Sequence, residues 1–176
     1  MCPTLSRENY FLTVINEISQ HHVQKGSIEY ELQALLLLVA ESVRDKKGLN
    51  EATIAKINEL FEQYQAVRLK VSIVPKLANL FGSDDSQGSS SEQILLHTEF
   101  VDSPDLLKRK YMEAIISLLE ALERNAQLDL QTCIHCGHWF IPYQRAKVAR
   151  FCSSNCRNRY HYAQRKKDKQ KQQAYL

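Results

Sequence analysis

The residues of this chain best suited to chemistry are cysteines. Four of its five fall in two close pairs, Cys133-x2-Cys136 and Cys152-x3-Cys156, with fifteen residues between the pairs. A thiolate is a soft anionic ligand, and two of them a few residues apart can grip one side of a tetrahedral ion while a second pair closes the other side. Zn2+ is the cofactor this pattern predicts, held by Cys133, Cys136, Cys152 and Cys156. Four sulfur ligands fill the coordination sphere and leave no position for a catalytic water, so the expectation is a structural centre and not an enzyme. His135, His138 and His161 lie close by, but no acid accompanies them in a way that would suggest a nuclease. The remaining cysteine, Cys2, stands alone and reads as an incidental thiol.

The elements needed to bring the pairs together can be read around them. Gly137, Trp139, Phe140 and Ile141 suit a knuckle turn that leads into a short strand, and Phe151 suits the end of a returning strand. Ser153 can cap a helix whose first turn holds Cys156, which puts thiolates at the positive end of the helix dipole. Knuckle, hairpin and helix in this order form the layout of a treble-clef zinc finger, with Trp139, Phe140, Phe151 and Tyr160 clustered around the metal. So short a module has too few apolar residues for its own core. Metal binding, worth about 10 to 16 kcal/mol in small zinc peptides, is expected to hold it folded.

Charge is divided along the chain. From Thr132 onward there are ten Lys and Arg against one acid, Asp168, a net +9; the preceding residues carry thirteen against nineteen, a net −6. A basic module on an acidic body points to a polyanion as partner of the module. The candidate nucleic-acid contacts are Arg145, Lys147 and Arg150 before the second cysteine pair, and Arg157, Asn158, Arg159, His161, Arg165, Lys166 and Lys167 after it. Arg157, His161, Gln164 and Arg165 are spaced to share one helix face, which could follow a groove while flanking lysines meet phosphate.

Upstream, residues 1–130 read as a helical domain with an inserted hairpin, and residues 131–176 as the finger with a basic C-terminal helix and tail; the fold class is α+β, mainly α. Apolar spacing predicts helices over Asn9–Gln20, Ser27–Lys47, and Glu51 to about Lys70, where Asn50 supplies the cap and Ile54, Ile57, Leu60, Phe61 and Tyr64 form the inner side. Gly48 marks the stop after the second helix, whose run Leu35 to Val39 is too broad for a single amphipathic stripe. Val71–Val74, Leu77–Phe81 and Gln93–Val101 look extended around the polar segment Gly82–Ser91, hence a hairpin. Ser103-Pro104-Asp105 reads as the start of a helix that runs to about Asn125. The longest apolar run, Ala34 to Ala40, is too short to span a bilayer, and no basic start precedes an apolar signal segment. The expectation is a cytoplasmic protein with no membrane partner, in a compartment where metal binding is favoured over disulfides.

The residues Cys133-x2-Cys136-Gly137-x-Trp139-Phe140, Arg145, Arg150-Phe151-Cys152-Ser153 and Cys156-Arg157-Asn158-Arg159 resemble the CGNR zinc finger, the C-terminal DNA-binding part of stress-induced bacterial transcription regulators. Arg157 stands where that family has glycine, and Pro142 near its usual aspartate. The resemblance implies a mostly helical N-terminal domain with a hairpin, followed by a finger that binds duplex DNA to regulate transcription; the helical body is expected to dimerise, bind a small-molecule effector or contact another protein. A homodimer would set two fingers on adjacent half-sites. The alternative is a zinc-braced protein- or RNA-interaction module without sequence-specific DNA binding, since treble clefs serve many functions.

Overall fold

A computed structural model describes residues 7–75, 92–142 and 149–173. The chain opens with α1 (Tyr10–Glu17), extended by one 3-10 turn to Gln20, then α2 (Ile28–Arg44) and α3 (Glu51–Gln63). An antiparallel hairpin follows, β1 (Val67–Pro75) with β2 (Glu92–Phe100), and then α4 (Leu107–Arg124). A two-residue pair, β3 (Gln131–Thr132) with β4 (Trp139–Phe140), leads to α5 (Ser154–Gln173). The fold is mainly helical, with a small two-stranded hairpin and a C-terminal cluster of four cysteines. Among the described residues no helix is long and apolar enough to cross a membrane.

The core is built around α4, which packs on α1 and α2. Tyr111, Met112, Ala114, Ile115, Leu118 and Ala121 bury a broad side of it against Phe11, Val14 and Ile15 of α1 and Leu32, Leu35, Leu36, Val39 and Ala40 of α2. The leucine run of α2 is thus sunk over a wide arc, with only Leu38 turned to solvent. Local chemistry sets the helix starts. The Ser27 Oγ accepts the Tyr30 N–H and the Asn50 Oδ1 accepts the Thr53 N–H, each satisfying a donor with no partner inside the first turn. Helix α1 lacks such a cap, and the fully buried Ser117 of α4 substitutes for it: its Oγ accepts the Phe11 N–H at 3.4 Å and donates to the Arg7 carbonyl at 3.2 Å.

Three expectations are corrected. Helix α3 stops at Gln63 rather than near Lys70, because Val67, Leu69, Val71 and Ile73 repeat with period two and continue as β1. Ile54 is exposed, and the inner side of α3 is Thr53, Ile57 and Leu60. Helix α4 begins at Leu107, since Ser103, Pro104 and Asp105 form a turn in which the Ser103 carbonyl accepts the Leu106 N–H. Just before it, the Asp102 carboxylate receives the Tyr64 hydroxyl at 2.5 Å and the Lys108 ammonium at 3.2 Å, tying the hairpin root to α4. These donors, Tyr64 foremost, hold the Asp102 carboxyl below its usual range. The Leu77–Phe81 strand, the Gly82–Ser91 segment and Cys2 lie outside the described residues.

The end of α2 leads to a test. Lys46 sits at φ 56°, just past the last helical turn, with its N–H on the Val43 carbonyl. A left-handed conformation there is strained for a residue with a Cβ. Lys46→Gly is therefore expected to raise stability by about 0.5 to 1 kcal/mol, measured by urea denaturation.

Candidate metal centre

The first cysteine pair lies on a knuckle whose backbone is closed by two hydrogen bonds. The Gly137 N–H donates to the Cys133 carbonyl and the Cys133 N–H to the His138 carbonyl, both at 2.8 Å. Gly137 makes that turn at φ 74°, a conformation a Cβ would penalise, which explains glycine directly after the second thiol. β3 and β4 flank the turn, so the knuckle is the tip of a minimal hairpin. The second pair is brought alongside when the Ile134 N–H donates to the Arg150 carbonyl at 3.1 Å. Ser153 caps α5, its Oγ accepting the Cys156 N–H at 3.2 Å, so Cys156 occupies the first turn as expected. The returning strand expected at Phe151 is absent among the described residues; Gln131–Thr132 takes its place as the partner of Trp139–Phe140.

These restraints gather all four sulfurs within 4.8 Å of one another. Cys136 and Cys152 are 3.6 Å apart at Sγ, as are Cys152 and Cys156. An ion with four ligands at a Zn–S distance of about 2.3 Å spaces them about 3.8 Å apart by tetrahedral geometry, whereas a disulfide needs about 2.05 Å. All four thiols are free. The donor set therefore fits a zinc-sized thiophilic cation.

Protonation tells the same story. Burial raises the Cys133 thiol, but backbone N–H groups of Cys152, Cys136 and His135 converge on its sulfur and bring it down to about 6. Desolvation and then the neighbouring sulfurs of Cys156, Cys136 and Cys133 push Cys152 up to about 12, and Cys136 is raised as well, chiefly by desolvation. The Cys133 thiolate forms readily, and Cys136 and Cys152 resist ionisation beside it. A divalent cation reverses that resistance by supplying the missing positive charge.

The knuckle is also fastened to the helical body. Leu130 is fully buried in the main core, and Trp139 and Ile141 pack on it. Asn16 of α1 grips the backbone of Trp139 from both sides, its Nδ2 donating to the Trp139 carbonyl at 3.0 Å and its Oδ1 accepting the Trp139 N–H at 2.7 Å. The Arg44 guanidinium lies 5.3 Å from the centre of the indole ring. Trp139 thus belongs to the body, which corrects its place in the expected aromatic cluster. The rings beside the second pair are Phe151, Tyr160 and His161, with centroids 5.4 to 5.9 Å apart. Sequence reading missed Asn16 and Arg44, since a single amide or cation on an amphipathic helix carries no signal of a partner more than ninety residues away.

Of the candidate nucleic-acid residues, Arg157, Asn158, Arg159, His161, Arg165, Lys166 and Lys167 lie exposed along α5, and Arg150 is exposed just before it. Arg145 and Lys147 lie outside the described residues. Tyr160 and Gln164 are half-buried, and Arg165 turns its Nε toward the His161 carbonyl at 3.4 Å. The cations ring α5 instead of forming one stripe, and Asp168 falls on the strip of Arg157, His161 and Gln164, at helical intervals of four, seven and eleven residues.

Trp139 is the only tryptophan, so its emission reports the knuckle directly. Cys136→Ser, or a strong chelator, is expected to abolish stoichiometric zinc binding and shift that emission to the red, while the far-ultraviolet signal of α1 to α4 persists. Asn16→Ala is expected to keep the zinc and lower stability by about 1 to 2 kcal/mol, because it strands both backbone groups of Trp139. Zinc content by elemental analysis, with denaturation followed at Trp139, separates the two effects. Comparison with protein-family models, with curated proteins and with solved structures found no match, so the reading of this centre rests on its own residues.

Proposed function

We propose that the chain is a zinc-dependent nucleic-acid-binding protein whose C-terminal unit is a treble-clef finger of the CGNR kind, and that it binds duplex DNA as a transcription regulator. One observation carries this reading. The four-sulfur centre sits at the N-terminus of a twenty-residue helix that is exposed along most of its length and carries Arg157, Arg159, Arg165, Lys166, Lys167 and Lys169. A knuckle giving Cys133 and Cys136, followed by a helix start giving Cys152 and Cys156, supports the treble-clef assignment. The sequence resemblance over Cys133–Arg159 supports the choice of DNA.

On this reading zinc does no chemistry on a substrate. It neutralises the thiolates and fixes the direction of α5 relative to the knuckle, which Asn16 and Arg44 hold to the body. The helix, about 30 Å long at 1.5 Å per residue, then presents a basic rod to a phosphate backbone. Asn158 and His161 are hydrogen-bonding groups placed to reach base edges while the arginines and lysines engage phosphates.

Zinc-loaded protein is expected to bind mixed-sequence duplex DNA, with affinity falling as salt rises by roughly 0.9 log units per log unit of salt for each phosphate neutralised. The Arg157→Glu, Arg165→Glu double variant should bind at least about 10-fold more weakly with a shallower slope, read by fluorescence anisotropy. Unchanged binding in that variant, or a marked preference for single-stranded RNA, would remove duplex DNA as the target of α5.

A further inference from the structure

The β1–β2 hairpin has one face that nothing among the described residues covers. Residues directly opposite in an antiparallel ladder share a face, so the register places Val67, Leu69, Val71 and Ile73 beside Phe100, Thr98, Leu96 and Ile94 in four rows. Seven of these eight are apolar. The innermost row is seated on the body: Phe100 packs against the core with the Arg109 guanidinium 4.8 Å from its ring centre, and Val67 is half-buried. The outer rows are bare, with Leu69 71%, Val71 64%, Ile73 65%, Ile94 72% and Leu96 63% exposed. The opposite face carries ion pairs, Glu99 with Arg68 at 2.7 Å and with Lys70 at 3.0 Å, and an exposed apolar side chain, Leu95.

An isolated two-stranded ribbon is marginal in water, and an apolar strip of this kind marks an interaction site. At the root of the strip, Val67 also lines a half-open groove of about 600 Å³ whose walls include Phe61, Met112, Ile116 and Leu119. Strip and groove mouth together offer on the order of 600 to 800 Å², close to the ~800 Å² that each partner gives to a standard interface.

We propose that the occupant is a second copy of this chain, the two hairpins stacking face to face about a two-fold axis. The strip carries no charge and only one hydrogen-bonding side chain, Thr98, so a second apolar strip like itself matches it over seven of its eight positions. With the axis across the strands between the second and third rows, Leu69 meets the partner's Val71 and Thr98 meets the partner's Leu96. The same operation lays the bare outer row, Ile73 and Ile94, over the partner's Val67 and Phe100 at the mouth of the groove. The strip and the groove mouth thus cover each other, with Glu120 and Glu123 at the groove's polar edge, and the ion-paired face stays outward. This inference does not rest on what α5 binds.

The test is the mass of the full-length, zinc-loaded protein in solution, by sedimentation equilibrium at tens of micromolar. Wild type is expected at twice the 20.4 kDa chain mass. Val71→Lys and Ile94→Lys are each expected to raise the dimer dissociation constant by about 100-fold or more, since a lysine would be buried without a partner. The Val71→Thr, Leu96→Thr pair, which suits a strand at both positions, should do the same without loss of the hairpin. Lys70→Gln, on the opposite face, should leave the dimer intact. Unchanged Trp139 emission and zinc content establish that each variant is folded. A monomeric wild type, or a dimer that survives all three strip variants, overturns the proposal.

Discussion

Four thiols around one point are a constraint that the C-terminal quarter of the chain cannot escape. With the sulfurs within 4.8 Å, protons or a cation must separate them, and the backbone donors aimed at Cys133 already favour negative charge there. Covalent closure is inconsistent with sulfur spacings of 3.6 Å. The surrounding elements answer this constraint. Gly137 allows the knuckle, the Ile134 to Arg150 hydrogen bond aligns the two pairs, and Ser153 starts α5 so that Cys156 enters at its positive end. Hydrophobic burial does little of this work, for Cys133 is the one cysteine of the four that is buried.

That makes the attachment to the body the second support. Sequence reading treats residues 131–176 as a separate finger, and the contacts show how the knuckle half of it is joined to the rest. Leu130 ends in the core, Trp139 packs on the same core, and Asn16 takes up both backbone groups of Trp139. Those groups face away from the two-residue β3–β4 ladder, which is too short to satisfy its own outer edge. An asparagine presents one donor and one acceptor in a plane, the same complement a neighbouring strand would offer. The side chain therefore acts as a one-residue strand substitute, and the direction of the knuckle is set by α1.

The gathering of the four cysteines, the hairpin and the order of helices were legible because each leaves a local mark: paired cysteines, period-two apolar spacing, and Ser27 or Asn50 before an apolar repeat. The boundaries that failed were those at which two local marks compete. Residues 64–70 carry both the tail of a helical pattern and the start of the alternation Val67, Leu69, Val71, and strand pairing with Phe100 and Thr98 decides between them. Ser103-Pro104-Asp105 satisfies the composition of a helix start and that of a turn equally well, and Tyr64 and Lys108 draw Asp102 into the turn. Asn16, Arg44 and Ser117 were not legible at all, since what they do depends on a surface formed by residues far away in sequence. The aromatic cluster divided for the same reason: Trp139 packs on the core of the body, with Asn16 on its backbone and Arg44 beside its ring.

The charge division has a structural counterpart in how the two ends of α5 are held. Its first turn is fixed by the Ser153 cap and by the rings of Phe151, Tyr160 and His161, whereas Arg165, Lys166, Lys167 and Lys169 lie exposed on its second half. Like charges four residues apart, such as Arg165 and Lys169, oppose helix formation by a few tenths of a kcal/mol per pair. On the proposed reading the distal half is therefore stabilised by the polyanion that neutralises it, while the proximal half is held by its cap and rings beforehand. Register on the nucleic acid is then set at the cysteine end, where the helix is capped and Asn158 and His161 reside. The distal lysines contribute the salt-sensitive part of the affinity and little of the specificity.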